Sequence, residues 1–358
     1  MGINSDFWRG RHVLVTGHTG FKGSWLSLWL QSLGANLQGI ALPPPTDPAL
    51  FDFARVAEGM EHNIADIRDF ALIRKLLNDF KPEVIFHMAA QPLVRQSYHN
   101  PIETYETNVM GTVNLLEASR HCGSVKAVVN ITSDKCYENL GIVRGYREDE
   151  RMGGHDPYSS SKACAELVSA AYRLSFLTND GIAMATARAG NVIGGGDWAC
   201  DRLVPDTLRA LEMRQSVQIR NPNAVRPWQH VLEPLSGYLL LAEKLYLDGH
   251  EFADGWNFGP NDDDARSVSW VVENLCESWG TDALWTNQPG DHPHEANYLK
   301  LDISKARKHL SWAPRWSLKD ALSQVIEWHK ASLRDEDMQL KTLEQIRTYS
   351  TLIMQNQC

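Results

Sequence analysis

The chain has 358 residues, enough for one large domain or two modest ones, and its 43% hydrophobic and 22% charged residues are an ordinary balance for a folded protein. A formal net charge of −9 argues against nucleic acid or an anionic membrane surface as the main partner. No apolar run is long enough to span a bilayer and the N-terminus lacks a secretory pattern. The six cysteines contain no C-x-x-C pair and read as free thiols of a cytoplasmic protein, with no metal site and no disulfide expected.

The first element is a buried strand, HVLVTG at 12–17. It runs into three spaced glycines, Gly17, Gly20 and Gly23, at the junction with a helix over 23–33. Glycines let the backbone turn sharply and approach a pyrophosphate, and the helix N-terminus adds free N–H groups and a positive dipole end. The loop predicts a nicotinamide dinucleotide held by Gly17, Thr19, Gly20, Phe21, Lys22 and Gly23. The second strand, 37–42, ends Ala41-Leu42-Pro43, without the acid that usually holds the adenosine ribose and without an arginine for a 2′-phosphate. NAD is therefore expected over NADP, held less tightly than usual, with His18 and Lys22 compensating at the phosphates. PPPT at 43–46 is a rigid loop. Asp66, after a third strand, either reaches the adenine or caps the next helix; both readings stay open.

Further strands are expected at 84–90, 127–133 and 182–190, and helices at 101–121 and 157–177. Continuous apolar strands alternating with helices specify a doubly wound parallel α/β sheet of the Rossmann type. After residue 190 turn-rich stretches alternate with short helices, which predicts a smaller mixed α/β substrate domain. The expected division is 1–188 plus 228–258 for the dinucleotide, 189–227 plus 259–331 for the substrate, and a polar helical tail over 332–358.

Tyr158 and Lys162 lie one helical turn apart on one face. A phenol, with a pKa near ~10, is a poor base at neutral pH. A nearby ammonium and a nicotinamide cation would lower that value and let it take a proton from a sugar hydroxyl as hydride leaves. The pair follows a strand ending in Thr132-Ser133 on a chain that begins with the glycine loop, and that order lifts it above a chance spacing.

With these motifs stand His87-Met88-Ala89-Ala90, Asn108-Val109-Met110-Gly111-Thr112 and Arg188-Ala189-Gly190-Asn191-Val192. Together they resemble the extended short-chain dehydrogenase/reductases over roughly residues 10–330. The resemblance implies NAD contacts from the glycine loop and from Asp66, Ile67, Ala89, Ala90, Gln91, Asn108, Thr132, Tyr158, Lys162 and Arg188. It also implies a homodimer or homotetramer joined through the helices around 101–121 and 157–177.

Within that family, Thr132-Ser133-Asp134-Lys135-Cys136-Tyr137 is similar to the strand end of sugar-nucleotide 4,6-dehydratases, except that Lys135 replaces their second acid. That variant, with Gln91-Pro92-Leu93-Val94-Arg95 and Gly154-His155-Asp156-Pro157-Tyr158, resembles the branch acting on CDP-glucose in deoxysugar and lipopolysaccharide biosynthesis. The implied roles are Tyr158 as base at C4, Ser133 on the C4 oxygen, Asp134 as acid to the departing C6 hydroxyl, and Lys162 on the nicotinamide ribose. Lys135 either loses its proton and acts as base at C5, the preferred reading, or stays charged and stabilises the enolate. Asn191, Arg202, Arg220, Arg226 and His294 are the candidates for the nucleotide diphosphate, and Arg95 is a substrate contact or a helix-capping charge. A nucleotide-sugar 4-epimerase would share the cofactor residues but has no use for Asp134 and Lys135. A catalytically dead NAD-sensing relative would be expected to have lost Tyr158 or Lys162.

Overall fold

Strict alternation within apolar strands fills both faces of the central sheet. The computed structural model describes residues 2–280, 285–287 and 299–355. The sheet contains β1 (His12–Thr16), β2 (Asn36–Ala41), β3 (Glu61–Ile64), β4 (Val84–His87), β5 (Ala127–Ile131) and β6 (Ala183–Ala189). Four short strands follow, β7 (Val192–Ile193), β8 (Val217–Ile219), β9 (Val225–Pro227) and β10 (Gln229–His230). Next come β11 (Gly255–Phe258), which joins the large sheet, and β12 (Ala265–Ser267) and β13 (Trp285–Asn287). The large sheet is parallel with order β11-β6-β5-β4-β1-β2-β3, so the order in which strands are added reverses between β1 and β4. Crevices at such a switch point bind ligands.

Val13, Val15, Val84, Phe86, Ala127 and Val129 point into one core, while Leu14, Ile85, Val128 and Met184 point into the other. The second face is covered by α2 (Phe70–Phe80), α3 (Gly111–Arg120) and α4 (Pro157–Tyr172); the first by α1 (Phe21–Ser32) and by helices of the C-terminal half. The smaller lobe is built from α5 (Leu203–Glu212), α7 (Val268–Trp279) and α8 (Leu318–Ser332), which bury Val204, Leu208, Trp228, Val271 and Leu322. α6 (Leu232–Asp248) returns the chain to the sheet.

The last helix, α9 (Met338–Gln355), has a packing role that its polar sequence conceals. α1 is buried along Gly23–Leu30, on all sides, so the sheet alone cannot cover it. α9 lies against α1 and α8, and Tyr349 meets the edge of Trp29 with ring centroids 5.8 Å apart. The Tyr349 hydroxyl donates to Glu233, whose carboxyl also accepts from the backbone N–H groups of Arg315 and Trp316. Burial pushes the Glu233 carboxyl up to about 7 despite these donors. Tyr349→Phe removes one donor from this buried acid. It should cost about 1–3 kcal/mol in urea unfolding and make the C-terminal helix the first site of limited proteolysis.

Candidate active site

One cavity of about 1610 Å³ runs along the carboxyl ends of β1, β4, β5 and β6 and between the two lobes. A pocket for one small ligand is roughly 300–1,000 Å³, so this space suits two ligands side by side.

The glycine loop forms its floor. Gly17 has φ +76°, and a Cβ there would lie 2.8 Å from the Ala89 nitrogen; one on Gly23 would lie 2.1 Å from the Gly17 carbonyl. Both glycines are demanded by the protein itself. Gly20 is different: its φ is −78° and a Cβ would meet only the Gly17 oxygen, at 3.4 Å. A side chain there would fill the cavity rather than strike the protein, so the loop is shaped for an outside group pressed against the α1 N-terminus, as a dinucleotide pyrophosphate requires. Thr19, Phe21, Lys22, Ile67, Ala89 and Ala90 line the same region. Asp66 lines it too, but Arg68 grips its carboxylate with bonds of 2.6–3.0 Å, while Asp69 caps α2 through the Leu72 N–H.

Four expectations need correction here. Arg188 does not face the cavity. It lies beneath it, 5% exposed, with Nε and Nη2 2.9 and 2.8 Å from the Glu166 carboxylate and Nη1 2.7 Å from the Tyr137 hydroxyl. Asn108 and Gln91 are likewise structural. Asn108 bonds the Gln91 N–H and carbonyl and the Ser161 hydroxyl, which pins the loop that carries Ala89 and Ala90. His18 turns away from the phosphates, with Nε2 2.6 Å from Nδ1 of His62. Burial and the neighbouring His62 lower its pKa to about 4, so it brings no positive charge.

The catalytic candidates converge at the end of β5. Ser133 caps a single turn, Asp134–Cys136, by accepting from the Lys135 N–H at 3.2 Å, and its hydroxyl donates to Asp134 Oδ1 at 3.1 Å. Asp134 is 2% exposed, and its Oδ2 has no hydrogen-bond partner among the described residues. Burial raises its pKa, opposed by the charge of Lys135. Pro157 at the first turn of α4 and the Asp156 cap, which accepts from the Ser159 N–H, start the helix that carries Tyr158 and Lys162. The Tyr158 hydroxyl lies beside Ser133.

The lowering of the Tyr158 phenol expected from Lys162 does not come from the protein alone. Lys162 spends its ammonium on the Ile131 carbonyl at 3.2 Å, and burial pushes the phenol up to about 12. Burial also lowers Lys162 to about 8, against the pull of Glu166. Lys22, expected at the phosphates, lies on the side of the glycine loop that faces the catalytic candidates. It projects among Lys162, Arg202 and Asp134, with its Nζ 5.8 Å from the Tyr238 ring.

The substrate candidates line the rest of the cavity, with Arg202 near Tyr158 and Lys22 at its centre. Arg202, Arg220, Arg226 and Asn191 line the cavity, whereas His294 lies outside the described residues. Two arginines are held by acids: Asp197 binds Arg202 at 2.8 Å, and Asp201 binds Arg220 at 2.6 Å. Asp201 also accepts from Arg95 at 3.0 Å, so Arg95 reaches across the cavity mouth and caps no helix.

Glu166 was not anticipated, although it continues the Tyr158–Lys162 face by one more turn. Its carboxylate binds Thr132, Thr186 and Arg188, so Thr132 anchors the strand end from below while lining the cavity. Arg188→Leu leaves that carboxylate buried and unpaired. It should cost about 3–5 kcal/mol in urea unfolding, far more than a surface arginine would.

Residues 14–325 match the family model described as GDP-mannose 4,6 dehydratase. The chain is 57% identical over 352 residues to CDP-glucose 4,6-dehydratase of Salmonella typhimurium, covering 97% of this chain and 98% of that one. It is 24% identical to dTDP-glucose 4,6-dehydratase of Xanthomonas campestris pv. campestris, over 88% and 92% of the two chains. In fold it is similar to the dTDP-glucose 4,6-dehydratase DesIV of Streptomyces venezuelae, solved with NAD (TM-score 0.76, 23% identity, 92% and 99% covered). It is also similar in fold to UDP-glucose 4-epimerase of Thermotoga maritima (TM-score 0.78, 24% identity, 90% and 99% covered). The glycine loop, the tyrosine–lysine helix and the full-length match together make this chain a member of the GDP-mannose 4,6-dehydratase family of extended short-chain dehydrogenase/reductases.

Proposed function

We propose that this protein is a lyase that dehydrates CDP-D-glucose to CDP-4-keto-6-deoxy-D-glucose, with NAD as an internal hydride carrier. The observation that carries the reading is Asp134: a buried carboxyl with one oxygen unpartnered among the described residues, beside Ser133 and the Tyr158 hydroxyl. Dehydration needs such an acid, and 4-epimerisation does not. The 57% identical relative supports the substrate.

When bound, NAD supplies a hydride acceptor that ends the cycle in its starting state, and a ring cation beside the Tyr158 phenol. Tyr158 takes the proton of the C4 hydroxyl, and Ser133 holds the C4 oxygen. Oxidation at C4 comes first because the new ketone acidifies the C5 proton, which Lys135 then removes. Asp134, whose pKa burial raises, gives its proton to the C6 hydroxyl, which leaves as water. Lys162 and Lys22 hold the cofactor side of the cavity; Asn191, Arg202, Arg220 and Arg226 receive the diphosphate. In this reading residues 1–188 with 228–258 serve the cofactor, and 189–227 with 259–331 the substrate.

No helix among the described residues is long and apolar enough to cross a membrane. The five described cysteines are free, which fits a cytoplasmic enzyme. Ile102, Leu167 and Leu174 are 74%, 60% and 75% exposed on the helical stretches 101–120 and 157–177, a face suited to a second copy of the chain.

Two experiments test these readings. Incubation with NAD and CDP-, dTDP-, UDP- or GDP-glucose should give the alkali-absorbing 4-keto product from CDP-glucose; a sugar isomer alone would mark an epimerase. In the same assay Lys135→Met should abolish solvent deuterium incorporation at C5 while NADH still forms, and retained exchange would remove Lys135 from the base role. By analytical ultracentrifugation the protein should sediment as a dimer or tetramer and Leu174→Glu as a smaller species. A monomeric wild type would end the self-association reading.

A further inference from the structure

The reading above leaves open how one pyrimidine is told from another. The cavity itself limits where the base can lie. The glycine loop and the ends of β2 and β3 form the dinucleotide end, and the β5 turn with Tyr158 forms the centre. A sugar placed at that centre, with its diphosphate on Arg202, Arg220 and Arg226, leaves only the outer arm for the base. That arm lies between the first turn of α5 and β8, with apolar walls from Leu203, Pro205, Val217, Ile219 and Val268.

Three carboxylates border the arm, and two are engaged by the diphosphate arginines. Asp197 accepts from Arg202 through Oδ2 and from the Ala199 N–H through Oδ1, while Asp201 is shared by Arg95 and Arg220. The third, Asp206, lines the cavity from the first turn of α5 and forms its ion pair with Arg209 rather than with Arg202 or Arg220. Arg209, one turn later, grips its Oδ1 and is itself fixed by the Trp198 carbonyl at 3.1 Å. The ion pair therefore orients the carboxylate through Oδ1, and Oδ2 has no hydrogen-bond partner among the described residues.

We infer that Asp206 is the specificity-determining residue for the base, accepting a hydrogen bond from the exocyclic amino group of cytosine. A carboxylate accepts and cannot donate. It matches cytosine, whose amino group donates, and repels uracil and thymine, which present a carbonyl oxygen at the same position. The inference rests on the CDP-sugar reading and deepens it: the arm selects against two of the nucleotides that relatives of this fold carry.

Asp206→Asn keeps the shape but supplies an amide that also donates. Binding of CDP and of UDP is measured by calorimetry without NAD, so no turnover is needed. NAD affinity on the same samples reports that the cavity is intact. Wild type should favour CDP; Asp206→Asn should weaken CDP by about 10- to 100-fold, the worth of one hydrogen bond to a charged group, and bring UDP level with it or ahead. With CDP-glucose the loss should fall on KM, with kcat within about twofold of wild type, because the base lies far from C4, C5 and C6. An unchanged CDP-to-UDP ratio in Asp206→Asn, with wild type still preferring CDP, overturns the role of Asp206 and leaves the proposed function standing. A wild type that neither prefers CDP nor turns over CDP-glucose overturns both.

Discussion

The buried ion pair between Glu166 and Arg188 is the constraint on which the catalytic geometry rests. It joins three elements at one point: α4 through Glu166, β6 through Arg188 and Thr186, and the end of β5 through Thr132. Beyond Arg188 the network continues through the Tyr137 hydroxyl to Asn257 on β11. Both charges are almost wholly removed from water, and such a pair holds only when every remaining donor and acceptor is satisfied in fixed geometry. Burial works against the Glu166 carboxylate, yet Arg188 keeps it below the usual carboxylate range. The four bonds to Glu166 fix Thr132 one residue before Ser133, and α4 fixes Tyr158 and Lys162 in the same frame. Relative position among these groups is thus set from beneath the cavity, by residues that face away from it.

Above that frame the electrostatics are divided. Lys135, Arg226 and Lys22 bring positive charge near Asp134, yet burial still raises its pKa, and one of its oxygens has no hydrogen-bond partner among the described residues. An acid that donates a proton must be neutral when the leaving group arrives, and desolvation moves Asp134 in that direction. In the outer arm the balance is opposite. Asp197 and Asp201 neutralise Arg202 and Arg220, so these two cavity arginines are positioned without leaving bare charge. A diphosphate would replace those carboxylates as the anionic partner.

The C-terminal segment makes a related point about packing. An apolar helix must be covered on every side, and the sheet covers one side of α1. α9 supplies the rest from residues whose average character is polar, because a few positions, Ile346 and Tyr349 among them, carry the buried face.

The continuous apolar strands between helices, the three glycines and the helical spacing of Tyr158 and Lys162 made the parallel fold, the dinucleotide loop and the helix that carries this pair legible in the sequence, because each depends on a local pattern or a local steric need. The cofactor roles expected of Arg188, Asn108, Gln91 and His18 failed for one reason: a motif marks where a residue sits in the chain, and only packing decides which way its side chain points. Arg188 turns to Glu166, Asn108 to Gln91, and His18 to His62. Lys162 taking the Ile131 carbonyl, Asp134 losing its solvent and Asp206 facing the outer arm are tertiary facts of the same kind. The sequence by itself determined the fold, the dinucleotide loop and the residue types available for chemistry. The tertiary structure alone decided which polar groups face the cavity and which hold it up, since that depends on partners brought from distant parts of the chain.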